Sequence, residues 1–303
     1  PYVNHLLHWL NYKQGAPQMN QPQQNNIRWD QGKITAENPI GLNGVDFIEY
    51  SGAEALHFEK LFKKMGFIEL AQVENKNIKL YRQGDINFII NCEPNTFAAS
   101  FAQQHGPSVC STGFRVGDAT LAFEAAIRRG AKAYDGNQTS RGATPYLAIY
   151  GIGDSLVYFI DEKNHHDLYG HQFKLKNINE SPKGLGLELV DHFTNNVPKG
   201  EMTKWSDFYE KIFNFHEVRY FDIRGMKTGL TSYALRSPCG SFCIPINEAE
   251  ESKSQINEYL EEYKGPGVQH LAFLTDDILS SLDHINHQAI QMLDIEEDYY
   301  QEI

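Results

Sequence analysis

The chain has 303 residues, 41% hydrophobic and 12% aromatic, enough for two domains of ordinary size with an aromatic-rich core. Its 39 acidic and 27 basic residues leave a formal net charge of −12, which repels phosphate backbones and argues against nucleic acid as a partner. No apolar run approaches the roughly 20 residues of a membrane helix. No apolar leader opens the chain and Cys92, Cys110, Cys239 and Cys243 form no CxxC pair, so a cytoplasmic protein with reduced thiols is expected.

Residues 1–37 read as a mobile tail. Asn and Gln crowd Gln14 to Asn26, with Pro17 and Pro22 among them, and such a stretch buries too little apolar surface to offset its ordering entropy. His5 and His8 fall in this tail and are read as part of it. From Asn38 the pattern tightens. Val45–Tyr50 alternates like a strand, and Glu54–Lys64 has helical spacing that Gly66 ends. Strands are expected at Ile78–Arg82 and Ile86–Asn91 around Gly84-Asp85. A helix at Asn95–Gln104, a strand at Val109–Val116 and a helix at Ala119–Arg129 follow. Tyr146–Tyr150 and Leu156–Asp161 close a hairpin. This first half reads as two successive strand–helix–strand–strand–strand units.

The second half repeats the recipe. Gly41-Leu42-Asn43-Gly44-Val45-Asp46-Phe47 returns as Gly186-Leu187-Glu188-Leu189-Val190-Asp191-His192, and Gly106-Pro107-Ser108-Val109-Cys110-Ser111 as Gly265-Pro266-Gly267-Val268-Gln269-His270. Phe208–Phe213 answers Phe58–Phe62, Phe242–Asn247 answers Ile86–Asn91, Val268–Leu274 answers Val109–Arg115, and Ile278–His287 answers Ala119–Arg129. An offset of roughly 150 residues is too long for a solenoid and suits tandem domains. The first half runs on from Asp118 to a hairpin ending at Asp161. After the equivalent Asp277 too little chain remains for such a hairpin, so the second half is expected to be truncated.

Only the second copy places histidines at two matched strand positions: Phe47 becomes His192 and Ser111 becomes His270. A lone histidine on an apolar strand is ordinarily a hydrogen-bonded core residue. Two of them on equivalent strands of a duplicated module, where the first copy has no usual ligand, point to a shared metal. Facial non-haem Fe(II) sites add one carboxylate and leave positions open for substrate and oxygen. Glu248 and Glu250 read as solvent-facing, and Glu296, Glu297 and Glu302 as an acidic loop, so the third ligand is expected on the missing hairpin.

Several segments together now resemble a known family. They are Asn38–Tyr50, Lys79–Asn91, His105–Cys110, Val190–Val197, Phe208–Phe213, Arg219–Ser232, Pro245–Glu248, Lys253–Ile256 and Gly265–Thr275. They resemble 4-hydroxyphenylpyruvate dioxygenase, of the vicinal-oxygen-chelate superfamily, over residues 38–303. The resemblance implies an α+β fold of tandem βαβββ modules in two barrel-like domains. The first is a metal-free domain at 38–180. The second is a metal-binding catalytic domain at 181–303. It implies one Fe(II) per chain on His192, His270 and a Glu beyond Ile303. It implies substrate contacts by Ser232, Asn247, Gln255 and Gln269. It also implies a homo-oligomer that converts 4-hydroxyphenylpyruvate and O2 to homogentisate and CO2 in tyrosine and phenylalanine catabolism.

The residues themselves leave bland roles open. Gln269 would point away from His270 in a regular strand, so its role needs twist or a bulge. Ser232 could be a turn hydroxyl, Asn247 a loop cap like its counterpart Asn91, and Gln255 an exposed helix residue. The rival readings are 4-hydroxymandelate synthase, an extradiol catechol dioxygenase, and an inactive fragment or binding protein on the same modules. Little turnover is expected without the third ligand.

Overall fold

The computed structural model describes residues 27–52, 56–134, 136, 146–224, 229–249, 253–288 and 290. His5, His8, Glu250, Glu296, Glu297 and Glu302 lie outside the described residues. The first half begins with β1 (Leu42–Ser51), α1 (Leu56–Lys64), β2 (Ile68–Gln72), β3 (Ile78–Gln83) and β4 (Ile86–Asn91). It continues with α2 (Phe97–His105), β5 (Ser108–Val116), α3 (Ala119–Arg128), β6 (Ala148–Tyr150) and β7 (Leu156–Ile160). It ends in α4 (Glu162–His166), which widens into a π-turn over Asp167–Gln172. The second half holds β8 (Leu187–Val197), α5 (Met202–Phe213), β9 (His216–Arg224), β10 (Gly229–Arg236), β11 (Cys243–Ala249), α6 (Gln255–Tyr263), β12 (Gly267–Thr275) and α7 (Ile278–His287).

Helix starts follow their caps. Thr96 accepts from the backbone N–H of Ala99 at 3.2 Å, which sets the start of α2 at Phe97 rather than Asn95. Asp118 and Asp277, matched in the repeat, each cap the helix that follows them. Glu248 does a similar service from a distance: its Oε2 accepts from Gly200 N at 2.9 Å and Met202 N at 3.1 Å, at the start of α5.

Duplication is plain in the pairing. β1 runs parallel to β4 and antiparallel to β5, and β8 runs parallel to β11 and antiparallel to β12. The first sheet has the order β2-β3-β4-β1-β5-β7-β6 and the second β12-β8-β11-β10-β9. Both are open among the described residues, which corrects the expectation of barrel-like domains. In the first half β7 extends the sheet parallel to β5, whereas β12 is an edge strand among the described residues. The second unit of the first half is also leaner than expected among the described residues. After α3 the described residues hold two strands, and an isolated bridge between Ala133 and Ile149.

One core serves both halves. Phe114 on β5 lies 5.1 Å from Phe242, 5.6 Å from Phe213 and 6.2 Å from Phe193, ring centre to ring centre. Those three rings belong to the second half, and the cluster continues through Phe62, Phe67 and Phe88 of the first. The opposite face of the first sheet carries a separate cluster with Phe47, Leu80, Ile89 and Tyr158, closed by Tyr169 and Phe173. Residues 27–37 join the first half: Trp29 sits edge-on to His165 at 5.3 Å, and Asn43 donates to the carbonyl of Arg28.

Candidate metal centre

Strand alternation places the site. On β8 the side chains of His192, Thr194 and Asn196 project to one face. His270 pairs directly with Thr194, and Ala272 with His192, so the two histidines are diagonal neighbours on adjacent strands. Their ring centres are 5.6 Å apart, with planes at 78°. Across the other side of β8, Cys243 pairs with His192 and Asn247 with Asn196. Ser232 on β10 pairs in turn with Asn247. One sheet face therefore carries His192, Thr194, Asn196, Asn247, Ser232 and His270.

Each group has a definite environment. His192 is half-buried, and its Nδ1 donates to Oδ2 of Asp191 at 2.9 Å. His270 Nδ1 meets the amide oxygen of Gln269, and its Nε2 lies 3.0 Å from the Thr194 hydroxyl. Asn247 is buried and its Nδ2 donates to Asn196 Oδ1 at 3.4 Å, while Ser232 is buried beside it. Gln255 is exposed in the first turn of α6. Gln269 is exposed too, and the pairing shifts between Val268 and His270. The slip is a bulge, and it brings Gln269 to the same side as His270.

The first half shows what the same positions do without imidazoles. Phe47 stands where His192 does and packs over Gly113, where an added Cβ would lie 2.5 Å from the Phe47 ring. Ser111 stands where His270 does and donates to Glu49 Oε2 at 2.5 Å, while Asn91 donates to Glu49 Oε1 at 2.7 Å. An apolar ring and a saturated carboxylate leave nothing for a cation.

Two neutral imidazoles that converge from adjacent strands suit Fe(II) or another borderline divalent cation. Among the described residues no group of three His, Cys, Asp or Glu side chains could hold a metal ion. The donor set therefore fits in part, with two ligands from the described chain. Asp191, Thr194 and Asn196 went unread at the sequence level. Period-two alternation from His192 would have found the last two.

A second feature lies between the halves. A cleft of about 620 Å³ is lined by Asn43, Arg115, Lys183, Glu188, Ser241 and Asp276, without either histidine. Burial pushes the Glu188 carboxyl up to about 7, the hydrogen bond and charge of Asp276 add to this, and Lys183 opposes it.

The family model for the N-terminal region of hydroxyphenylpyruvate dioxygenase matches residues 36–174. A model of the glyoxalase/bleomycin resistance protein/dioxygenase superfamily matches residues 189–302. The protein MelA of Shewanella colwelliana is 49% identical over 269 residues, 88% of this chain and 77% of MelA. A 4-hydroxyphenylpyruvate dioxygenase of Legionella pneumophila (strain Corby) is 42% identical over 266 residues, 88% of this chain and 75% of that protein. The chain belongs to the 4-hydroxyphenylpyruvate dioxygenase family. A solved mutant of 4-hydroxymandelate synthase from Streptomyces coelicolor superposes with a TM-score of 0.73 at 21% identity, over 86% of this chain and 80% of that one. That likeness establishes the shared vicinal-oxygen-chelate fold. The family's two-module architecture and the matched positions 47/192 and 111/270 thus describe the same duplication.

Proposed function

We propose that the protein is an Fe(II)-dependent dioxygenase that converts 4-hydroxyphenylpyruvate and O2 to homogentisate and CO2, a step of tyrosine and phenylalanine catabolism. The observation that supports this reading most is the convergence of His192 and His270 on one polar sheet face, within a chain of this family. His192 and His270 hold the metal, and a carboxylate from outside the described residues completes the set. When bound, the iron supplies chelation of the 2-oxo acid and activation of oxygen. The substrate carries its own 2-oxo acid, so no separate co-substrate is needed.

The protein's own contribution is positional. Ser232, Asn247 and Asn196 give the face neighbouring the histidines hydrogen-bonding groups in a buried setting, where each is worth more than in water. Gln269 and Gln255, both exposed, would reach substrate from the end of the face where α6 hands over to β12. Tight strand pairing holds His192 and His270 in place and keeps their separation constant.

The test is oxygen uptake with Fe(II), ascorbate and 4-hydroxyphenylpyruvate, with products separated by chromatography. Homogentisate from a chain that includes the third ligand, lost in His192→Ala and His270→Ala, is the expected result. 4-Hydroxymandelate as product, cleavage of catechols instead, or undiminished turnover in either variant would overturn the reading. Metal binding without turnover of any of these substrates would favour a binding protein on the same fold.

A further inference from the structure

Both histidines are preceded in the chain by a hydrogen-bond acceptor that turns back onto the ring. Asp191 Oδ2 takes Nδ1 of His192 at 2.9 Å, and the Gln269 amide oxygen takes Nδ1 of His270. Both acceptors sit where the β8–β12 pairing slips. Asp191 is buried and falls between the His192–Ala272 and Val190–Phe273 pairs, and Gln269 is exposed and falls between Val268 and His270. A bulge that brings a side chain back to its neighbour's face is a built feature.

An imidazole that donates from Nδ1 presents the lone pair of Nε2. The surroundings agree: Thr194 Oγ1 stands 3.0 Å from His270 Nε2, placed to donate its hydroxyl proton into that lone pair. We infer that Asp191 and Gln269 are positioning residues that hold both rings in the Nδ1–H tautomer, so that Nε2 of His192 and Nε2 of His270 are the ligating atoms. Thr194 then shields His270 Nε2 until a cation displaces its hydroxyl.

The repeat gives the idea an internal comparison. Asp46 matches Asp191, and it too accepts from an imidazole Nδ1, that of His165 at 2.7 Å. In the first half the residue after the aspartate is Phe47, so the duplicated carboxylate serves a ring brought in from α4. In the second half it serves the next residue in the chain. No counterpart of Gln269 arises in the first half, where Cys110 holds the matched position and its Sγ lies 3.6 Å from the carbonyl of Glu49. The Gln269 contact therefore belongs to the half that has histidines to orient.

This inference rests on reading His192 and His270 as ligands, but one arm of its test does not. Long-range proton–nitrogen spectra of the metal-free chain, assigned with His192→Gln and His270→Gln, report the tautomer of each ring directly. The Nδ1–H form is expected for both. Gln269→Leu, at an exposed position that leaves the core intact, should shift His270 alone toward the Nε2–H form, and Gln269→Glu should restore the parent spectrum. Asp191→Ala should do the same to His192, with Asp191→Asn closer to the parent. In the second arm, calorimetric titration with Co(II) should show about 10- to 100-fold weaker binding for Gln269→Leu and Asp191→Ala. Parent rings found in the Nε2–H form, or a folded Gln269→Leu with the parent tautomer and Co(II) affinity within twofold, would overturn the inference. A parent chain that binds no Co(II) would instead count against the metal site, with the spectra still deciding the tautomers.

Discussion

Residue by residue, the duplicated aspartates show how one position acquires two uses. Asp46 is fully buried, which alone would raise its pKa. The charge and hydrogen bond of His165, then the charge of Arg115 and the hydrogen bond from Tyr169, outweigh burial and hold the carboxyl well below its ordinary value of 3.8. Its partners stand at 2.7 Å (His165), 3.1 Å (Arg115) and 2.8 Å (Tyr169). A depressed carboxyl pKa means that the unfolded chain binds the proton more readily. The network's contribution is therefore complete at pH values above the unfolded value and declines as pH falls below it. Asp46→Asn should cost about 1 to 3 kcal/mol at neutral pH, because it removes the buried charge that His165 and Tyr169 face, while Arg115 keeps its paired contacts to Asp85. Urea denaturation at pH 7 and at pH 3 checks this, and the gap between parent and variant should narrow at the lower pH.

At the level of elements, the sheet register decides which copy can hold a cation. β1 and β5 are paired so that Phe47 faces Gly113, and the glycine is required by the ring above it. β8 and β12 carry His192 opposite Ala272, a side chain small enough to leave the imidazole room. Gly113→Val should force Phe47 out of its packing against Tyr158, a ring 6.0 Å away. Overpacking of this kind costs about 1 to 3 kcal/mol. A drop in thermal midpoint with Co(II) affinity at the other site unchanged is the expected outcome, measured by scanning calorimetry and titration. An unaltered midpoint would mean that the ring has another place to go.

For the whole molecule, the shared aromatic core changes what the tandem pattern means. Phe114 of the first half is enclosed by Phe193, Phe213 and Phe242 of the second. Hydrogen bonds also cross the boundary: Asp85 N donates to the carbonyl of Glu188 at 2.6 Å, and the His105 ring nitrogen Nδ1 contacts the carbonyl of Tyr263 at 2.8 Å. The halves should therefore unfold together in one calorimetric transition. Phe114→Ala should lower stability by about 3 to 5 kcal/mol and still give one transition. Two resolved transitions in the parent would show that the halves fold independently.

The sequence by itself determined the duplication, many of the strands and helices and the two histidines, but not β2, α4, β9, β10 or α6. Each is written in local signals: alternation for strands, capping residues for helices, and residue identity at matched positions. It also marked Gln269 as needing a bulge to reach the site, because strict alternation would turn it away from His270. Only the tertiary structure decided that Ser232, Asn247 and Asn196 form one row across three strands with the histidines. Such rows depend on inter-strand register, which no single segment encodes. It alone showed the two sheets open among the described residues, since edge pairing is a long-range property. It also showed that the two halves share an aromatic cluster, because apolar positions on a strand say that a face is buried and not against which partner.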